Sequence, residues 1–203
     1  IAVLWYRRRF SLWHALIFPA AYFVIVLPAV LMGRPLSDTL TLYLNQTGSI
    51  GGGLNYNSPS VFSFFLSSAD PVFWSRVGIL AAFAAMVIIL IWLYRNRGSL
   101  RDEAVLTAAV LFVVVIPFLL PHMHDRYFFC ADVLSLIFAV IFPRLCFVPV
   151  LCQFASLLGY HAYLKGRYLY PMSYGATALA IVIVVLIACI LYQLPARKLK
   201  KRR

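Results

Sequence analysis

The residues best equipped for chemistry are seven consecutive positions, Pro121-His122-Met123-His124-Asp125-Arg126-Tyr127, set between two long apolar runs. Five of them carry polar or ionisable side chains. The run before them, Ala104 to Leu120, and the run after, Phe128 to Phe142, each read as a membrane span. Charge held at the end of a spanning helix is expensive and tends to be functional.

The chemistry these types favour is capture of an anion. Arg126 is always cationic, and its planar fork matches two phosphate oxygens. His122 and His124 add hydrogen-bond donors, and a helix beginning at the same spot directs its positive end there. At headgroup level such a pocket suits a polyprenyl phosphate, so His122, His124 and Arg126 are the expected phosphate ligands, with Asp125 and Tyr127 in support. Plainer roles compete: Asp125 as an N-cap of the next helix, and Arg126 as an interface anchor. The two histidines are two residues apart and face the same way only on extended backbone. They lack a third ligand at convincing spacing, so no metal is expected.

Asp132 follows Asp125 by seven residues, close to two helical turns, which puts both on one face. It lies roughly 10 Å into the apolar layer by the same rise per residue. A carboxylate there should be protonated or partnered inside the bundle.

Positioning these groups falls to helices in a membrane. The 203 residues are 64% hydrophobic and 12% charged, with mean hydropathy +0.90, which excludes an ordinary water-soluble domain. A net charge of +12 would suit nucleic acid, but the 18 Lys and Arg fall in short clusters between apolar runs instead of along one solvated face. They read as topology signals, and nucleic acid is not an expected partner. Cys130, Cys146, Cys152 and Cys189 all sit in apolar runs with no CxxC pair, so neither a disulfide framework nor a zinc site is indicated.

With roughly 20 apolar residues needed per crossing, spans are expected at about 11–32, 77–94, 104–120, 128–143, 146–162 and 175–193. The expected fold is all-α: a polytopic transmembrane helical bundle of six spans forming one domain over 1–203. Ile1 to Arg9 look like the last turn of an earlier apolar helix reaching a basic anchor, so the chain reads as the C-terminal portion of a longer protein. Lys and Arg favour cytoplasmic connections. Placing Arg7 to Arg9 inside puts 13 basic residues there, the tail 194–203 included, against five outside. Both termini are therefore expected in the cytoplasm, in a bacterial plasma membrane, or the endoplasmic reticulum if the source is eukaryotic.

Three loops then share the outer face: 33–76, 121–127 and 161–174. The first is rich in Asn, Gly, Ser and Pro, which break regular structure. Its Tyr43, Asn45, Gln46, Asn55 and Asn57 form a candidate loop for a sugar or acceptor, amides for hydrogen bonds and Tyr43, Tyr56 and Phe62 for stacking. The plainer alternative is a loop whose amides satisfy its own backbone. Asn45-Gln46-Thr47 also matches a glycosylation sequon. In the third loop, tyrosines mixed with Lys165 and Arg167 read as an aromatic belt with snorkelling cations, which can add a contact to a phosphate.

Pro121-His122-Met123-His124-Asp125-Arg126-Tyr127-Phe128-Phe129 resembles the P-x-M-H-E-R-Y-L-F pattern of bacterial membrane mannosyltransferases related to the PIG-V type enzymes of GPI-anchor synthesis, in the GT-C glycosyltransferase superfamily. Tyr43-Leu44-Asn45-Gln46, followed by Asn55 and Pro59, is similar to a second region of that group. Asp125 stands where the pattern more often has Glu. The resemblance implies sugar transfer, mannosyl in this group, from a polyprenyl-phosphate-linked donor to a lipid or glycan acceptor at the outer or luminal face, with no cofactor. It also implies an acidic base in the first outer loop. Asp38, Asp70 and Asp125 are isolated, which places the expected base upstream of Ile1 and leaves this chain alone inactive. Rival readings are a transporter or lipid flippase, although no internal repeat relates the two halves, and a non-catalytic membrane assembly subunit.

Overall fold

Stretches with Leu, Ile, Val, Ala and Phe on every face have no polar side to offer water, and in lipid a helix satisfies its own backbone. The computed structural model describes residues 11–41, 53–65 and 70–193, and these are all-α apart from one pair of two-residue strands. The chain divides into two compact units, Ile1–Gly52 and Gly53–Arg203.

In the first unit a 3-10 turn, Leu12–Leu16, runs into α1 (Ile17–Leu31), which contains Pro28. Gly33 turns the chain with φ +95°, a conformation side chains resist. A single short helix follows, α2 (Leu36–Leu40), and the Tyr22 hydroxyl donates to the Thr39 carbonyl at 3.1 Å.

The second unit is the bundle: α3 (Pro71–Arg95), α4 (Asp102–Leu119), α5 (Phe129–Ile141), α6 (Phe147–Lys165) and α7 (Met172–Gln193). Asp70 caps α3 by accepting from the Val72 amide at 2.9 Å, with Pro71 at the first helical position. Asp102 and Glu103 favour the start of α4 through the helix dipole. Gly166, left-handed at φ +64°, stops α6. The shared core consists of side chains with no exposure, Val110 and Val114 of α4, Phe138 of α5, Val148 of α6 and Val182 and Leu186 of α7. Ala155, Gly159 and Gly175 let the backbones approach closely, as is usual between helices in lipid. The outward side chains, such as Leu80, Phe83 and Ile88 of α3, are apolar too, as a lipid-facing surface requires.

Among the described residues four helical segments are long and apolar enough to cross a membrane, over Pro71–Arg95, Asp102–Leu119, Pro143–Lys165 and Met172–Tyr192. This corrects the expected six. All six apolar runs do form helices, but α1 has 15 residues and α5 has 13, about 22 and 20 Å at the helical rise, against a hydrocarbon core of about 30 Å. α5 is short because residues 125–128 coil as a 3-10 turn ahead of it, and because Pro143 pushes Phe142 out of helical geometry, to ψ +73°.

Successive helices of the bundle pack against one another as hairpins, so the connections alternate between its two ends. Residues 53–65, 120–128 and 166–171 meet at one end. Residues 96–101 and the short 3-10 turn Pro143–Leu145 lie at the other.

Candidate functional site

At the first of these ends two loops are clasped by parallel strands β1 (Asn55–Tyr56) and β2 (Met123–His124), with Asn55 beside Met123 and Tyr56 beside His124. His122 secures the clasp. Its amide donates to the Leu54 carbonyl at 2.9 Å, Nδ1 lies 2.7 Å from the Gly53 carbonyl, and Nε2 lies 2.9 Å from the Ser75 hydroxyl on α3. A carbonyl only accepts, so Nδ1 carries a proton, and in the neutral ring Nε2 accepts from Ser75. Both ring nitrogens are thereby engaged. The backbone of His122 is left-handed at φ +58°, a strain that the three bonds maintain. His122, expected as a phosphate ligand, is a strut between two loops and a helix.

His124 stands differently. Its ring stacks on Tyr56 with centroids 5.0 Å apart and planes 18° from parallel, while Tyr127 sits 6.2 Å away on another side. Among the described residues its nitrogens have no hydrogen-bond partner, and the exposed Arg126 guanidinium has neither hydrogen bond nor ion pair. Between them Asp125 is 7% exposed, and it too lacks a partner among the described residues. The expected capping role is not observed: Asp125 opens a 3-10 turn, and neither that turn nor α5 has a side-chain cap.

Gly159 of α6 explains how Asp125 comes to be buried. A Cβ at this position would lie 2.7 Å from the Asn57 carbonyl oxygen and 2.9 Å from the Asp125 Cβ. Loop 53–65 and the 125–128 turn both press onto α6 where the helix has no side chain. Ser58 and Ser60 are fully buried in the same loop, their hydroxyls without a partner among the described residues.

The candidate sugar-binding amides fall into two groups. Tyr43, Asn45 and Gln46 lie outside the described residues. Asn55 is committed to its own loop, donating to the Ser58 carbonyl at 2.8 Å and the Ser63 hydroxyl at 2.9 Å and accepting from the Ser58 amide at 2.9 Å. This is the self-satisfied loop, built as an Asx turn. Asn57, left-handed at φ +57°, accepts through Oδ1 from the Tyr168 hydroxyl and so ties the third loop to the first. Ser75, Gly159 and Tyr168 were not singled out from sequence, and no local motif marks them. The exposed Lys165 and Arg167 lie at the same end, and Arg167 offers its carbonyl to His161 Nδ1 at 3.2 Å.

Asp132 is buried inside the bundle as expected, its Oδ1 accepting from the Ser156 hydroxyl of α6 at 2.8 Å. Its carbonyl accepts from Ser135 at 3.0 Å and from Gln153 Nε2 at 3.4 Å. This carboxylate is integrated into packing.

No protein-family model matches the chain, and it matches neither a curated protein nor a solved structure. Among the described residues the site holds a guanidinium without an ion pair, an imidazole without a hydrogen bond that stacks on a tyrosine, and, between them in sequence, a buried carboxylate.

Proposed function

We propose that this end of the bundle binds the phosphate of a polyprenyl-phosphate-linked sugar, and that the protein belongs to the machinery of a GT-C type glycosyltransferase, transferring mannose to a lipid or glycan acceptor at the outer or luminal membrane face. The observation that carries the reading is the pair formed by Arg126 and His124. Neither side chain has a hydrogen-bond or ion-pair partner among the described residues, and both lie at the end of the bundle where three loops converge. The guanidinium supplies two parallel donors to a phosphate, and the imidazole supplies a third. Tyr56 and Tyr127 flank them with aromatic faces of the kind that stack on sugars. His122 serves this site by holding the two loops in register, and Asn57 by holding the third.

Native membranes carrying the protein, supplied with a radiolabelled polyprenyl-phosphate sugar, test the proposal. Transfer should be observed with the natural sequence and should fall at least tenfold with Arg126→Ala, while the amount of folded protein stays constant. Unchanged transfer with Arg126→Ala would favour an assembly subunit. Movement of the intact donor across the membrane without transfer would favour a flippase.

A further inference from the structure

A second feature lies at the opposite end of the bundle and owes nothing to the glycosyltransferase reading. Between α3, α4 and α7 there is a cavity of about 310 Å³, lined by apolar side chains that include Ala85, Leu111, Val115, Ile187 and Leu191. Trp92 is part of the lining. Its indole N–H is buried, and among the described residues no acceptor receives it. Buried donors are nearly always paired, so an unpaired one facing an apolar cavity indicates an acceptor that arrives with a ligand.

The surroundings specify that ligand. Ile88, Ile187 and Leu191 are exposed at the rim, so the cavity opens sideways toward the hydrocarbon layer. From Ala85 to Trp92 it extends about 10 Å along α3 at the helical rise, enough for part of an alkyl chain. Arg95 is three residues beyond Trp92 and therefore next to it on the helix surface. Its neighbours are otherwise engaged: Arg97 lies over the Tyr94 ring at 4.1 Å, and Arg101 pairs with Glu103 at 3.0 Å. Asp102, at the start of α4, has an interaction of its own. Arg95 is exposed and has no partner among the described residues. From deep to shallow the sequence of environments is an apolar slot, one hydrogen-bond donor and one cation with no partner among the described residues. A glycerophospholipid presents its acyl chain, ester carbonyl and phosphate in that same order.

We propose that this cavity is a bound-lipid site for one glycerophospholipid, with an acyl chain in the slot, the ester carbonyl on Trp92 Nε1 and the phosphate on Arg95. Bilayer contact alone would fill a groove without regard to headgroup linkage, whereas this site selects for an ester.

Delipidated full-length protein in detergent, titrated with phosphatidylglycerol and followed by native mass spectrometry, tests the assignment. Diester phosphatidylglycerol should bind about five- to tenfold more tightly than its diether analogue, the worth of one net hydrogen bond. Trp92→Phe keeps the ring and removes the N–H, so it should abolish that preference by weakening the ester lipid alone. Arg95→Gln should weaken both phospholipids and leave diacylglycerol, which has no phosphate, unaffected. Ala85→Phe should fill the slot and weaken all three. Equal binding of ester and ether lipids to the unmodified protein would overturn the proposal without any variant, as would an ester preference that survives Trp92→Phe.

Discussion

The clasp around His122 and the turn from Asp125 to Phe128 are adjacent in sequence and use similar residue types, but they treat their polar groups in opposite ways. In the clasp every polar side-chain group of His122 and Asn55 has a partner inside the protein. In the turn, the side chains of Asp125 and Arg126 have no hydrogen bond or ion pair among the described residues, and neither does that of His124 just ahead of it. Polar groups that satisfy one another build a rigid wall. Those left unsatisfied at the end of a well-packed bundle are the ones able to bind something else. The segment that looks like one functional motif in sequence therefore divides at His122 into a scaffold and, on the function proposed above, a recognition surface.

The comparison breaks most severely if the wall is displaced. Gly159→Val would drive a side chain into the Asn57 carbonyl and Asp125, positions held by backbone on both sides. A loss of about 3 kcal/mol or more is expected, read as a large drop in the melting temperature of the purified protein. His122→Ala comes next. It removes two side-chain hydrogen bonds, one of them to the exposed Gly53 carbonyl that water can reach, and about 1 to 2 kcal/mol of stability should go with it. If His122→Ala left the melting temperature unchanged while abolishing donor binding, His122 would belong with the recognition surface and the division would be misplaced.

Arg126→Ala should act in the opposite sense. It leaves nothing unpaired, so stability should change by less than about 0.5 kcal/mol, while affinity for a polyprenyl phosphate should fall by about 2 kcal/mol, the loss of a charge-assisted contact. Asp125→Asn sharpens the contrast further. An unpartnered carboxylate in a buried position is destabilising, so the neutral isostere should raise the melting temperature, on the order of 1 kcal/mol of stability, whatever it does to transfer. A fall in melting temperature would mean that the carboxylate has an ionic partner and that the turn is scaffold as well.

Hydropathy made the helical class legible because it acts locally: each of the six expected apolar runs became a helix, with limits up to six residues from those expected. The span count was less legible. A run of apolar letters does not reveal that residues 125–128 would coil as a 3-10 turn or that Pro143 would end α5 at 13 residues. In the site, the spacing of His122 and His124 would turn both rings the same way on extended backbone, but only Met123–His124 is strand, His122 is left-handed, and the two rings meet different partners. The partners that distinguish the two histidines, Gly53 and Ser75 for one and Tyr56 for the other, are 47 to 69 residues away and leave no trace in the motif itself. Gly159 was unreadable for the same reason. A glycine within a helix shows its purpose only once the strand of chain that presses on it is known.

The smallest expected effect tests whether the wall extends to the third loop. Tyr168→Phe removes the one hydroxyl that reaches Asn57 and changes nothing else in shape. Because Tyr168 is 59% exposed, water can replace the lost partner, so the expected cost is only about 0.5 to 1 kcal/mol. Asn57 holds a left-handed backbone that asparagine tolerates better than most residues, and its amide can turn to other partners. Amide hydrogen exchange should therefore quicken in residues 166–171 and hardly at all in residues 53–58, which Asn55 and His122 secure independently. Equal loosening of both loops would mean that the Tyr168 contact, and not the β1–β2 clasp, maintains the site, and the scaffold would then have to be redrawn around α6 and α7.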